Sequence, residues 1–160
     1  MNKLKKIVLF DIDYTILDTD VLKKSNRATF QLYKEVLETF SQLKEVADFG
    51  IFSEGDIAFQ KRKMRETNIE NYFLKEHIHI VEKKNEKIKQ ILELYTDKGR
   101  LYFVDDKLSV LHLAKSYEPS VFTIWVKRGI YALNQKPIEG FTPDGEVLML
   151  HEIVPLIAKE

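Results

Sequence analysis

The feature that most constrains this chain is a rhythm. Short, largely apolar runs at residues 7–10, 47–52, 77–81, 101–104 and 121–126 alternate with longer amphipathic stretches. Each run breaks off into charged or hydroxylated residues. A strand that is apolar on both faces needs cover on both sides, which is the situation of strands in a parallel sheet flanked by helices. A further short strand is expected near residues 147–150. Between the strands, Phe30, Tyr33, Leu37, Phe40 and Leu43 recur at spacings of three and four, so the pattern predicts a helix over 28–44, capped by Ser25 or Asn26. Shorter helices are expected from Asp56 through Arg65, over 85–95 with Ile88, Ile91, Leu92 and Tyr95 inward, over 108–114, and near Ile153, Leu156 and Ile157. The expected fold is a three-layer α/β/α Rossmann-like sandwich with a mainly parallel sheet. With 160 residues and only 6 glycines and 4 prolines, no linker divides the chain, and residues 1–160 read as a single domain.

Right-handed crossovers place the C-terminal ends of parallel strands on one edge of the sheet, where ligands of such folds bind. The residues that follow the strands are therefore the ones to inspect. The first strand runs into Asp11, Asp13 and Thr15; the second into Ser53, Glu54 and Gly55; the third into Glu82, Lys83 and Lys84; the fourth into Asp105 and Asp106. Carboxylates, a hydroxyl, a lysine and an acidic pair thus converge on one edge, a set for which a packed core has no use.

Composition removes several alternatives. The chain has no cysteine, which excludes disulfides, thiol catalysis and zinc–thiolate sites. Its formal net charge is zero, so nucleic acid is not indicated as a partner and no attraction to an anionic membrane is expected. The basic run Lys61, Arg62 and Lys63 with Arg65 reads as the solvated face of a helix. No segment approaches the roughly 18 apolar residues of a membrane span, and the run at 7–10 is too short for the core of a signal peptide. A cytoplasmic location is the expectation. His77 and His79 share a strand face without an evident third ligand and read as ordinary strand residues; His112, His151 and Trp125 read as structural.

Asp-x-Asp-x-Thr after an N-terminal strand, followed in order by Ser53, a lysine before a helix and the pair Asp105-Asp106, resembles the four signature motifs of the haloacid dehalogenase-like superfamily. The resemblance runs from about residue 7 to residue 157. It implies the strand order 5-4-1-2-3, which brings Asp11, Ser53 and Asp106 together. It also implies a magnesium-dependent phosphomonoester hydrolase: Asp11 as the nucleophile that becomes an aspartyl-phosphate, and Asp13 as general acid and base. Ser53, Glu54, Gly55 and Lys83 would lie at the phosphate, and Asp11, the Asp13 carbonyl, Asp106 and Asp105 at Mg²⁺. Lys83, Lys84 and Lys87 all lie near the strand end; the register of the helix reaching Ile88 favours Lys83, with Lys84 the alternative. Tyr14 stands where relatives often have glycine, and would wall or narrow the entrance. Glu54 beside Ser53 would oppose a phosphate unless it turns away or meets a cation of the substrate.

The chemistry suits these residue types. A phosphate monoester repels an approaching carboxylate; a divalent cation held by hard oxygen ligands offsets that repulsion. A covalent intermediate then splits one hard step into two. Many relatives carry a large cap between the first two motifs. Here there is room for at most a small helical flap near 17–26, which would leave the site open to a small phosphorylated molecule or an accessible macromolecular phosphate, or to closure by an oligomeric partner. A phosphotransferase or mutase using the same intermediate, and a non-catalytic binding module, are the competing readings. A dehalogenase is disfavoured by the acidic pair and Asp13.

Overall fold

The computed structural model describes residues 4–159. Strand β1 (Lys6–Phe10) is buried along its whole length. It lies at the centre of a six-stranded sheet with β2 (Asp48–Glu54), β3 (Phe73–Val81), β4 (Arg100–Asp105), β5 (Phe122–Val126) and β6 (Gly145–Val147) in the order β3-β2-β1-β4-β5-β6. Every neighbouring pair is parallel. This is the expected order with β6 added outside β5. The late strand begins two residues earlier than expected and ends at Val147, because Leu150 already starts a short 3-10 turn.

Side chains of β1 alternate between two cores, as the strand period requires. Val8 and Phe10 face a cluster with Ile51, Tyr102, Val104 and Ile124. That cluster is covered by α2 (Val36–Leu43), α3 (Ile57–Glu66) and α7 (Ile153–Ala158) through Phe40, Leu43, Met64, Ile153 and Ile157. Ile7 and Leu9 face the other side with Phe52, Leu101 and Phe103, under Ile88, Leu92, Leu111 and Ala114 of α4 (Lys84–Glu93) and α5 (Leu108–Tyr117). Phe40 is the hub of the first cluster. Its ring centroid lies 5.2 Å from those of Phe49 and Tyr72, 5.3 Å from Phe10 and 5.6 Å from Phe73.

The segment before α2 departs from the helical reading. Helix begins only at Val36, and Ser25 instead closes a separate short helix, α1 (Thr19–Lys24), whose start is capped by Asp18 accepting from Val21 N–H at 3.2 Å. Residues 28–35 run alongside the loop that follows β1. Asp18 N–H donates to the Gln31 carbonyl at 2.8 Å and Tyr33 N–H to the Ile16 carbonyl at 3.1 Å. These bonds satisfy the backbone without a helix, and tertiary pairing overrides a helical side-chain pattern. The helix α6 (Gly129–Asn134) was not foreseen; it starts at a glycine with φ +81°, where an added Cβ would lie 2.3 Å from Tyr14 Cδ1.

On the edge strand β3, His77 and His79 are joined through Tyr95: its hydroxyl lies 2.6 Å from His79 Nε2 and 3.1 Å from His77 Nδ1. One hydroxyl proton can serve only one of these nitrogens, so the other must itself donate. Burial holds both imidazoles below the ordinary histidine range. No helix among the described residues is long and apolar enough to cross a membrane.

Truncating Phe40 to alanine should cost about 3–5 kcal/mol, read as a lowered urea midpoint. The histidine pair sets a pH dependence. Unfolded histidine takes a proton near pH 6.5, whereas the folded pair resists it, so stability is full above that pH and falls as pH drops through it. The urea midpoint should therefore fall between pH 7.5 and pH 5.5, and His79→Gln should reduce that fall.

Candidate active site

The site is built at the C-terminal ends of β1, β2 and β4. Asp11 follows β1, its N–H donating to the Val104 carbonyl at 2.9 Å, which ties the start of the loop to the neighbouring strand. The Ile12 carbonyl accepts from Ile16 and Leu17 N–H, each at 3.0 Å, and folds residues 12–17 into a tight turn. Tyr14 sits in this turn with φ +61°. A left-handed conformation costs a non-glycine residue about 1–2 kcal/mol, which explains why glycine would suit this position. The tyrosine is anchored in return: its hydroxyl donates to Asp20 Oδ1 at 3.2 Å and accepts from Lys23 Nζ at 3.0 Å.

Asp105 ends β4 and Asp106 follows it. One carboxylate oxygen from each of Asp11, Asp105 and Asp106 lies within 4.8 Å of the others, and all three residues are buried. The cation that meets them is Lys84, with Nζ 2.8 Å from Asp11 Oδ1 and 2.7 Å from Asp105 Oδ2. Lys83, favoured by the sequence pattern, is displaced from this role. Its side chain is exposed and lies 3.5 Å from Glu86. The reason is register: α4 begins at Lys84, so Lys83 stands in extended backbone outside the first turn while Lys84 points back over the sheet edge.

Three carboxylates against one ammonium leave a formal charge of −2 in a desolvated site. The titration of the group reflects this. Burial pushes Asp11 up to about 6, against the pull of Lys84 and with the help of Asp105 and Asp13. Burial and the charges of Asp11 and Asp105 push Asp106 up to about 10. Burial opposes the charge of Lys84, but Asp105 and Asp11 outweigh it and hold the ammonium above its ordinary range. Asp106 Oδ2 is buried without a hydrogen-bond partner among the described residues. A divalent cation with hard-oxygen preference fits this donor set in both charge and chemistry.

Asp13 belongs to a second group. Its carboxylate accepts from Lys63 Nζ at 2.8 and 2.9 Å, from Gln60 Nε2 at 3.1 Å and from Thr19 Oγ1 at 3.1 Å. Gln60 also donates to Ser53 Oγ at 2.6 Å, so Ser53 and Asp13 are bridged by one amide. Lys63 is therefore not on a solvated helix face: it is buried, facing inward from α3. Sequence reasoning missed Lys63 and Gln60. The signal was their spacing of three from each other, which sets both on one face of the helix that Asp56 caps through a 2.8 Å bond from Phe59 N–H.

Glu54 turns toward the start of α4 and accepts from Lys84 N–H at 2.8 Å, with Lys107 Nζ 3.9 Å away. Gly55 has φ +145°, which favours glycine, but its N–H is already given to the Val81 carbonyl at 2.9 Å. Gly55, expected at the phosphate, thus has its N–H committed to the neighbouring strand. Thr15 Oγ1 lies 3.4 Å from Asp11 Oδ2, a weak contact consistent with loop support.

Arg128, just beyond β5, was also missed, because its partners are remote in sequence. It donates to the Thr15 carbonyl at 2.5 Å and the Tyr14 carbonyl at 3.4 Å, pairs with Glu35, and stacks 3.5 Å from the Tyr33 ring centroid. Glu35 in turn accepts from Leu150 N–H at 3.0 Å. Arg128 and that N–H hold Glu35 below the usual carboxylate range although burial opposes it. The loop carrying Asp11 and Asp13 is thereby braced from outside by a part-buried ion pair.

A cavity of about 280 Å³ opens over the site, lined by Asp11, Asp106 and Lys84 at its base and by Asp13 and side chains of α1, α3 and α6 towards its mouth.

With this geometry in view, the chain compares closely in structure with several solved proteins. It matches a haloacid dehalogenase-like hydrolase of Burkholderia xenovorans with a TM-score of 0.79 and 21% identity, covering 98% of each chain. The magnesium-bound HAD-hydrolase YfnB of Bacillus subtilis matches with a TM-score of 0.74 and 14% identity over 97% of this chain and 99% of that one. A phosphatase-designated protein of Clostridium difficile gives 0.73 and 19% over 98% and 100%, and a 2-haloacid dehalogenase of Pseudomonas syringae gives 0.69 and 13% over 98% and 99%. No protein-family model matches the sequence, and no curated protein matches it. The chain has the haloacid dehalogenase-like fold.

Lys84→Met should destabilise the metal-free protein by about 3–5 kcal/mol, because it strands Asp11 and Asp105 without their cation. Lys83→Met should change stability by no more than about 0.5 kcal/mol. Parallel urea titrations of the two variants check this pair of outcomes.

Proposed function

We propose that the protein is a magnesium-dependent phosphomonoester hydrolase that works through an aspartyl-phosphate on Asp11. The observation that carries this reading is the convergence of Asp11, Asp105 and Asp106 within 4.8 Å, with Lys84 across Asp11 and Asp105. The carboxylates of Asp11, Asp106 and Asp105, with the Asp13 main-chain carbonyl, would hold Mg²⁺. When bound, the ion would neutralise phosphoryl charge and orient the ester for in-line attack. The structural likenesses include a phosphatase-designated protein and a magnesium-bound hydrolase, but also a dehalogenase. The acidic pair and the second aspartate of the first motif favour phosphoryl transfer over halide displacement.

An Asp11 oxygen forms a bond to phosphorus as the bond to the ester oxygen breaks. The departing oxygen takes a proton from Asp13, which in this reading is protonated when substrate binds while Asp11 is ionised. Asp13 then removes a proton from water, which attacks phosphorus and breaks the bond to Asp11, releasing inorganic phosphate and restoring the carboxylate. Lys84 bonds to the Asp11 oxygen that is not attacking, keeps the carboxylate oriented, and supplies positive charge beside the phosphoryl group. The Ser53 hydroxyl accepts from Gln60 and so retains its own proton to donate to a phosphoryl oxygen. Lys63 and Gln60 hold the Asp13 carboxylate at the mouth of the cavity.

Hydrolysis of an aryl phosphate with magnesium tests this reading. Turnover should vanish with chelator and in Asp11→Asn, and fall about 10²–10⁴-fold in Asp13→Asn. Turnover that persists in Asp11→Asn would exclude Asp11 as the nucleophile.

A further inference from the structure

The rim of the cavity carries cations that the proposed hydrolysis does not use. Lys84 is committed to Asp11 and Asp105, Lys63 to Asp13, and Lys107 stands near Glu54. Lys23 and Arg27 also line the cavity, and among the described residues neither has an ion-pair partner. Both lie beside aromatic rings, and Lys23 also donates to the Tyr14 hydroxyl at 3.0 Å. Lys23 Nζ lies 5.2 Å from the Tyr14 ring centroid and 6.0 Å from that of Tyr131, while the Arg27 guanidinium lies 5.0 Å from the Phe59 ring centroid. Tyr14 and Tyr131 meet edge-to-face at 5.9 Å, making one wall.

The backbone at this place is strained. Asn26 and Arg27 have φ of +54° and +63°, two successive left-handed non-glycine residues. Such conformations persist where the surroundings hold them, and they cluster at ligand sites. Here the turn carries Arg27 from the end of α1, with its N–H donating to the Leu22 carbonyl at 2.8 Å, to the lip of the cavity opposite α3. Lys23 gives one N–H to the Tyr14 hydroxyl and retains two for an incoming anion, and an arginine stacked on an aromatic face keeps its in-plane donors for the same use.

On this ground, and resting on the phosphatase reading above, we propose that Lys23 and Arg27 form a second anion subsite. The substrate is then a small organic phosphate whose leaving group bears a further anionic group, either a carboxylate or a second phosphate. The reacting phosphoryl group occupies the base of the cavity at Asp11, and the second anion meets Lys23 and Arg27 at the rim. A cavity of about 280 Å³ suits a molecule of that size. Glu54 lies within the same lining but is turned to Lys84 N–H and Lys107, which offsets its charge against the second anion.

The test is calorimetric binding to Asp11→Asn with magnesium, which does not depend on turnover. The probes are 3-phosphoglycerate against glycerol 3-phosphate, and fructose 1,6-bisphosphate against fructose 6-phosphate. At least one doubly anionic probe should bind about tenfold or more tightly than its singly phosphorylated counterpart, and the pair that shows it tells carboxylate from phosphate. Lys23→Gln and Arg27→Gln, made separately so that either can stand if the other misfolds, should each reduce that preference several-fold. Equal affinity within both pairs, or a preference untouched in both variants, overturns the subsite. Failure of the hydrolysis reading appears elsewhere, as absence of magnesium-dependent turnover with every probe, while the binding preference still decides the subsite.

Discussion

Three carboxylates buried together at the ends of two neighbouring hydrophobic strands would repel one another, and the structure around them is arranged to make that burial tolerable. Lys84 bridges Asp11 and Asp105, and Asp105 also accepts from Lys107 N–H at 2.8 Å. Asp106 is left with a buried oxygen, Oδ2, that has no hydrogen-bond partner among the described residues. A buried polar group without a partner is among the more costly features a fold can retain, so the residues that keep it there point to where the chemistry lies. The central position of β1, paired with β2 and β4, follows from the same requirement: only between those strands can Asp11 meet both the acidic pair and Ser53.

The second aspartate is treated differently. Asp13 lies at the mouth of the cavity rather than its floor, and its contacts come from α3 and from Thr19 at the start of α1. An acid–base group has to exchange protons with substrate and water, which a fully enclosed carboxylate could not do. The two carboxylates, two residues apart, thus occupy distinct environments, as their proposed roles require. The turn between them is strained at Tyr14 and braced by Arg128 from beneath, so the rigidity of the loop comes from outside it.

Much of the site was legible in advance because its members each end an apolar strand. A parallel sheet with right-handed crossovers forces such residues onto one edge, so Asp11, Ser53, Asp105 and Asp106 could be placed together from order along the chain. Lys84 could not be separated from Lys83 in that way. Both follow β3, and which one faces the site depends on where the first turn of α4 begins, a matter of one residue. Lys63, Gln60 and Arg128 were hidden for another reason: each lies in a stretch whose composition is ordinary, and each owes its role to a partner 47 to 114 positions away.

By itself, then, the sequence determined the layers and the acidic centre, because these follow from periodicity and from what ends each strand; the order of the strands about β1 came from the resemblance that the motifs carry. Tertiary structure decided the rest. It drew residues 28–35 out of helix and against the loop after β1, turned Lys63 inward to Asp13, and assigned the buried ammonium to Lys84. Each of these depends on which distant group satisfies a charge or a backbone hydrogen bond, and that is settled only when the chain has closed on itself.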